Sequence, residues 1–470
     1  MSTNTRQAIL GSEPTMKTSR RQFLKATSLA ASAFTIVPSH VLGQSGQTPP
    51  SGKLNIAGIG VGGIGASNLK QCADENIVAL CDVDQDYAAK TFKAYPNAKI
   101  YSDFREMLEK QKDIDAVIIA VPDHAHAVIG MAAIQAGKHV YIQKPLAHYL
   151  HEVRTLTEAA RDLKVISQMG NQGHSGDGTR QVCEWIQAGV IGGVREVHAW
   201  TNRPVWPQSV EVDRPAEMPV PAGLNWDRWV GPAPFRPYNS AYVPGTWRAW
   251  WDFGTGSLGD LGCHIMDAPF WALKLKYPAS VEGCISTFWK GLWQHDDPKL
   301  ENYPRSTIVR YEFPERDSMP ACKMTWWDGG MMPPRPEGLN PREPLGNDDG
   351  GVIFLGAKGV LICSCYGERP RVFPEELMKE AKSIAPSIER IPGSIEGHEK
   401  DWVRACKGGK PASSNFDYSG PLSETVLMGN LAVRFPNRKL LWDGEKMEVT
   451  NDTDANAYIR PKYRDGWTLS

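Results

Sequence analysis

Positive charge is not in excess in this chain. Its 52 lysines and arginines face 53 aspartates and glutamates over 470 residues, a formal net charge of −1. A nucleic-acid binder needs a basic face to neutralise phosphates, and a membrane-surface protein needs a polybasic cluster, so neither class fits. Metal-site spacing is missing too. Nine cysteines are scattered through the chain with no CxxC pair, which reads as small buried hydrophobes rather than zinc ligands, and no metal is expected. The uncharged run "ATSLAASAFTIV" (26–37) falls short of the roughly 20 residues a spanning helix needs, so no stable membrane anchor is expected. No internal repeat or low-complexity block stands out.

What is present describes an ordinary globular protein, with 41% hydrophobic and 22% charged residues. The length exceeds what one hydrophobic core supports, so two domains are expected. Sixteen tryptophans and 35 prolines imply long ordered loops and aromatic surfaces, which suit sugar faces and fit plain cores equally well. The N-terminus reads "SRRQFLK" (19–25), then the uncharged run, then "PSHVLG". A twin arginine, a short apolar stretch and a small-residue exit form a twin-arginine export signal. Residues 1–43 are therefore expected to be a signal peptide and linker, the protein periplasmic or otherwise exported, and the twin-arginine translocase a partner during export.

From Lys53 the pattern alternates strand and helix with short connections, predicting a doubly wound parallel sheet of Rossmann type over 53–175. "KLNIAGIG" is a first strand and "IVALCDVD" a second, and between the first strand and its helix lies "GIGVGGIGA". Gly60, Gly62 and Gly65 make G-x-G-x-x-G, whose glycines allow the tight turn, the approach of a pyrophosphate and helix–strand packing. Gly63 and Ile64 complete the turn and are taken with them as cofactor-binding positions. Asp82 ends the second strand 22 positions past Gly60, where an acidic residue binds the adenosine ribose. Asp82 and Asp84 would repel a 2′-phosphate, so NAD is expected rather than NADP. Pro122 and His126 in "VPDHAH" follow a later strand and would border the cofactor, although such histidines as readily satisfy a helix end.

Over 176–470 the pattern changes to helices, alternating strands ("VREVHAWT", "STIVRYEF", "KMTWWDG") and long Pro/Gly loops at 203–246 and 329–350. This predicts an α+β domain with a large, mostly antiparallel open sheet, and loops this long usually carry function or subunit contacts. In "WWDFGTGSLGDLGCHIMDAPFWAL" Asp260 and His264 are four apart, one turn of a helix. A carboxylate orienting an imidazole is what a general base needs, but the same spacing fits an N-capping aspartate and a satisfied buried histidine.

"GIGVGGIG", "AVPDHAH", "GKHVYIQKPLA" and "GDLGCHIMD", in that order, resemble the glucose–fructose oxidoreductase / inositol 2-dehydrogenase / rhizopine-catabolism (Gfo/Idh/MocA) family. The resemblance implies oxidation of a sugar or cyclitol hydroxyl with a nicotinamide dinucleotide, on a homodimer or homotetramer joined through the C-terminal sheet. It implies catalysis by Lys144, Asp260 and His264: His264 as base, Asp260 stabilising its imidazolium, and Lys144 bonding the substrate oxygen. The family's usual glutamate before the lysine is Gln143 here, which would remove the ionic partner of Lys144 while leaving an amide for the cofactor. His174, Arg203 and Trp251 are weaker substrate-contact candidates. Exported relatives retain their dinucleotide, which implies a bound NAD recycled between two half-reactions on a small carbohydrate. Two alternatives stay open: a glycoside hydrolase or lyase acting through transient 3-keto oxidation, and a non-catalytic sugar-binding protein.

Overall fold

The computed structural model describes residues 52–208, 214–287, 289–295 and 301–469. The expected export signal at 1–43 lies outside the described residues. Six strands, β1 (Asn55–Ile59), β2 (Asn76–Cys81), β3 (Lys99–Tyr101), β4 (Ala116–Ile119), β5 (His139–Ile142) and β6 (Ser167–Met169), form one sheet in the order β3-β2-β1-β4-β5-β6. Every pairing in it is parallel. Helices α1 (Ile64–Gln71), α2 (Gln85–Ala94), α3 (Phe104–Lys110), α4 (Asp123–Gln135) and α5 (Leu150–Asp162) connect them. Ile56, Leu80, Val117, Ile118, Val140 and Ile142 are all but fully buried. A parallel sheet covered on both faces requires that, so these strands read as unbroken apolar runs. The strand order reverses between β1 and β4, and ligands of such sheets bind outside the carboxyl ends at that crevice.

The second sheet contains β7 (Val194–Thr201), β8 (Ser280–Ile285), β11 (Thr307–Phe313), β12 (Cys322–Trp327), β13 (Gly350–Gly356), β14 (Val360–Ser364), β15 (Arg371–Phe373), β16 (Lys439–Asp443) and β17 (Glu448–Val449). Strands β9 (Trp289–Gly291) and β10 (Gln294–His295) form a separate hairpin. The large sheet runs β15-β14-β13-β7-β12-β11-β8-β16-β17. Only β7 and β12 pair in parallel, so the sheet is mostly antiparallel as expected. Helix α6 (Gly256–Ile265) and the long α7 (Phe416–Arg434) pack on each other, and α7 also lies against α5, β8 and β11. Helix α6 also touches β7 and β13 of the large sheet, and its Asp260 accepts from Lys144 at the exit of β5.

All nine cysteines are free and seven are buried, consistent with small hydrophobes. Most of the tryptophan-rich loop is core: Trp226, Trp229, Trp247 and Trp250 cluster with Tyr238, Tyr242 and Phe253. Among the described residues no helix is long and apolar enough to cross a membrane.

Candidate active site

One cleft of about 410 Å³ runs along the carboxyl ends of the parallel strands. At its centre the chain turns from β1 into α1. Gly60 has φ +77°, and a Cβ there would stand 2.6 Å from the Ala120 carbonyl oxygen, so only glycine is tolerated. Gly65 has no room either, because a side chain would overlap the Gly60 carbonyl. Gly62, Gly63 and Ile64 line the cleft, whereas Gly65 serves packing beneath it. Helix α1 starts on Gly63 with no capping side chain and no acid in its first turn, so its N–H groups and positive dipole end stay open to an anion. Asp82 accepts from the N–H groups of Val61 (2.8 Å), Gly62 (3.2 Å) and Asp84 (2.9 Å), and thereby also fixes the glycine turn. Burial raises its carboxyl, and those three donors pull against the rise. An uncapped helix end, a glycine turn and a carboxylate at the end of β2 fit a dinucleotide.

Toward β3 the cleft is lined by Ser102, Asp103, Phe104 and Arg105, and by Arg228 and Trp467 from far along the chain. The sequence around Asp82 shows no arginine, but the fold brings two to this end. Arg228 donates to Ser102 Oγ (2.6 Å) and faces the Asp103 carboxylate at 3.5 Å.

Toward β4 and β5 the charged groups gather. Lys144, at the exit of β5, donates from Nζ to the main-chain oxygen of Asp260 (2.5 Å) and to its Oδ1 (2.9 Å). Arg248 Nε donates to the same Oδ1 (3.0 Å), and Arg203 Nε stands 3.4 Å from Oδ2. Burial alone would raise the Asp260 carboxyl. The Lys144 ammonium and Arg248 guanidinium outweigh it and hold the group well below the usual carboxylate range. Arg203 is held in turn by Asp349 (3.0 Å), and Arg248 lies over the Trp247 ring at 4.3 Å.

His264 sits one turn along α6 with its ring edge-on to Tyr366. Its Nδ1 is buried without a partner among the described residues, which leaves Nε2 for the cleft. Burial, then the Lys144 charge, pushes its pKa well below the ordinary imidazole value, so the ring is neutral. The expectation that Asp260 orients this imidazole is corrected here. The carboxylate is fully engaged by three cations, and helical spacing brought the two residues onto one face without a hydrogen bond. The expected loss of an ionic partner for Lys144 is corrected as well, since Asp260 supplies one.

Gln143 lines the cleft, but its amide donates to Asn68 Oδ1 (3.0 Å) on α1. Pro122 and His126 also line it, and both ring nitrogens of His126 face carbonyls, Pro145 at 2.8 Å and Val121 at 2.9 Å. His126 therefore braces the backbone just after Lys144, and burial lowers its pKa to about 4. Arg203 lies in the cleft; His174 and Trp251 do not line it. His174 is buried against the Asp267 carboxylate (3.0 Å) and stacks on Trp271, so its ring is committed to the core. Trp251 stacks on Tyr303 and under Arg434 in a separate small cavity. Sequence reasoning missed Arg248 and Asp123. Arg248 falls between the loop that ends at 246 and the stretch that begins at Trp250, whereas Asp123 stands inside "VPDHAH", a stretch already singled out. Asp123 is buried in the cleft and accepts from the Thr255 hydroxyl; burial pushes its carboxyl up to about 6.

Residues 54–171 match the family model described as oxidoreductase family, NAD-binding Rossmann fold, and residues 186–283 match its C-terminal alpha/beta domain. Over these two segments the chain is similar to the Gfo/Idh/MocA oxidoreductases. Residues 54–171 are thus an NAD-binding domain, as the glycine turn and Asp82 indicate. An inositol 2-dehydrogenase from Salmonella paratyphi B is 32% identical over 146 residues, 30% of this chain and 43% of that protein. A glycosyl hydrolase family 109 protein from Solibacter usitatus is 34% identical over 152 residues, 29% of this chain and 35% of that protein. The chain thus spans less than half the length of these curated relatives. Among solved structures, the WlbA dehydrogenase from Bordetella pertussis in complex with NADH and UDP-GlcNAcA has a TM-score of 0.56 at 16% identity, over 83% of this chain and 99% of that one. That likeness concerns the fold.

Proposed function

We propose that this chain is an NAD-dependent dehydrogenase acting on a hydroxyl of a sugar, glycoside or cyclitol. The observation that carries the reading is a single cleft with a dinucleotide-binding turn at its centre and Lys144, Asp260 and His264 at one end. Gly60, Gly62, Gly63, Ile64 and Asp82 would hold NAD, with Pro122, His126, Gln143 and Lys144 along its reactive half. When bound, NAD supplies the hydride acceptor. His264, neutral and with Nε2 toward the cleft, takes the proton of the substrate hydroxyl. An ammonium has three N–H groups; two of Lys144's are spent on Asp260, and the third is aimed by them at the substrate oxygen, whose developing charge it stabilises. Asp260 is the anchor for Lys144, Arg203 and Arg248, and Arg203 is the remaining substrate-contact candidate beside it.

The test is the full-length protein, acid-quenched and weighed for released NAD, then mixed with myo-inositol and a panel of sugars and glycosides while NADH fluorescence is followed. NAD binding with substrate-dependent reduction is expected. A protein that neither carries nor binds NAD overturns the reading. A second reading, cleavage of a glycoside through transient oxidation, is favoured by the family 109 relative. Release of nitrophenol from p-nitrophenyl glycosides with no net oxidised product would select it. The proposal includes export of the protein by residues 1–43 through the twin-arginine translocase, a retained NAD recycled between two half-reactions, and a homodimer or homotetramer through the nine-stranded sheet. Cell fractionation and light scattering test location and assembly.

A further inference from the structure

The end of the cleft toward β3, away from Lys144, is lined by Trp467, a residue that a parallel dinucleotide-binding sheet does not itself require. The carboxyl end of β1 presents the glycine turn and that of β2 presents Asp82, so the next position outward in the strand order is the end of β3. There Ser102–Arg105 line the cleft. A dinucleotide with its reactive ring at Lys144 and its ribose at Asp82 places adenine at this point. Facing it, the Arg105 guanidinium lies 4.0 Å from the Trp467 ring, whose centroid is 6.2 Å from that of the tilted Phe104 ring, which makes a cation–indole plate. Such plates bind bases through stacking without reading their edges.

The tail is fastened where catalysis has no use for it. Tyr463 donates to the buried Glu152 (2.6 Å). Arg464 donates to the Asp227 carboxylate (2.6 Å) and to the Gly231 carbonyl (3.1 Å), and the Trp467 main-chain N–H donates to the Arg464 carbonyl (3.1 Å). Beside it the segment around Leu224 is tied to the β2–α2 turn: Gln85 N–H donates to Gly223 (2.9 Å) and Asn225 N–H to Val83 (2.8 Å). Elements from beyond the first sheet thus close over the end where adenosine belongs.

We infer that residues 463–467 form an adenine-binding element, so that the adenosine half of NAD is held against Arg105 and Trp467 and leaves only when the tail lifts. This rests on the NAD-dependent reading above. The test uses the full chain with NADH, ADP-ribose and reduced nicotinamide mononucleotide, the last of which lacks adenosine. Trp467→Ala should weaken NADH and ADP-ribose roughly 10- to 100-fold and speed NADH release in stopped flow, while leaving the mononucleotide unaffected. Trp467→Phe should recover most of the affinity. Arg105→Ala, at an exposed position that tolerates truncation, should weaken the same two ligands in the same direction. Equal ADP-ribose binding by parent, Trp467→Ala and Arg105→Ala would overturn the inference and leave the dehydrogenase reading intact. So would a loss that extends equally to the mononucleotide, which would mark a general structural defect. A parent chain that binds none of the three overturns both.

Discussion

The centre of the cleft and its reactive end are built from different materials. At the centre the donors are backbone N–H groups, shaped by glycines within six residues of one another and by the Asp82 carboxylate. At the reactive end every donor is a charged side chain, and Lys144, Arg203, Arg248 and Asp260 arrive from four separate segments. A backbone site is preorganised by local geometry and changes little with pH. A side-chain site holds its shape only through mutual charge, so removing one member releases the others.

The comparison predicts that changes at the reactive end alter turnover while changes at the centre alter cofactor affinity. The largest effect expected is from Lys144→Ala: kcat should fall roughly 10²- to 10³-fold with a much smaller change in NAD affinity, read by steady-state kinetics beside titration calorimetry. Near-normal kcat would sink the proposed role. Asp260→Asn should come next, because it leaves three cations facing one another. We expect a loss of roughly 2–4 kcal/mol in urea denaturation, less than for a fully buried pair because Arg203 and Arg248 keep some solvent. Unchanged stability would show that the cations disperse freely. Gly65→Ala should cost roughly 1–3 kcal/mol, since the new methyl group meets the Gly60 carbonyl, and should weaken NAD with kcat at saturation retained. A drop in kcat alone would break the division between the two regions.

Glycine turn, Asp82 and strand alternation were legible in the sequence because each depends on neighbours within one β-α-β unit. So was the mostly antiparallel second sheet, whose β11 and β12 show period-two apolar spacing. The partners of Asp260 were not legible. Helical spacing put His264 on the same face, but which side chain reaches the carboxylate depends on where β5 ends and where the 203–250 loop returns. His174 and Trp251 misled for a related reason: polar and aromatic residues beside glycines resemble ligand contacts, yet here they close a buried hydrogen bond and an aromatic contact.

The smallest effect expected concerns Asp123. Its folded pKa of about 6 makes it a carboxylate above that pH and neutral below, so kcat/KM should decline as pH falls through about 6. Asp123→Asn should remove that limb, because His264 and Asp260 titrate well below it. The linkage runs the opposite way for stability: a raised carboxyl contributes at low pH and loses that contribution as pH rises through about 6, so Asp123→Asn should melt higher than the parent in mild alkali. An unaltered pH profile in the variant would assign the limb elsewhere.

Gln143 stands at the head of a relay with a direction. Its amide donates to Asn68, the Asn68 amide donates to Glu399 (2.6 Å), and Glu399 also receives the Tyr141 hydroxyl (3.3 Å). The negative charge has migrated one partner away from the lysine, to the far side of an asparagine that has only one face to donate. A carboxylate at 143 would point at the acceptor side of Asn68, and turning the asparagine to greet it would strand Glu399. An ionised carboxylate at position 143 would therefore compete with Glu399 for the Asn68 amide, which links two positions 256 apart in the chain.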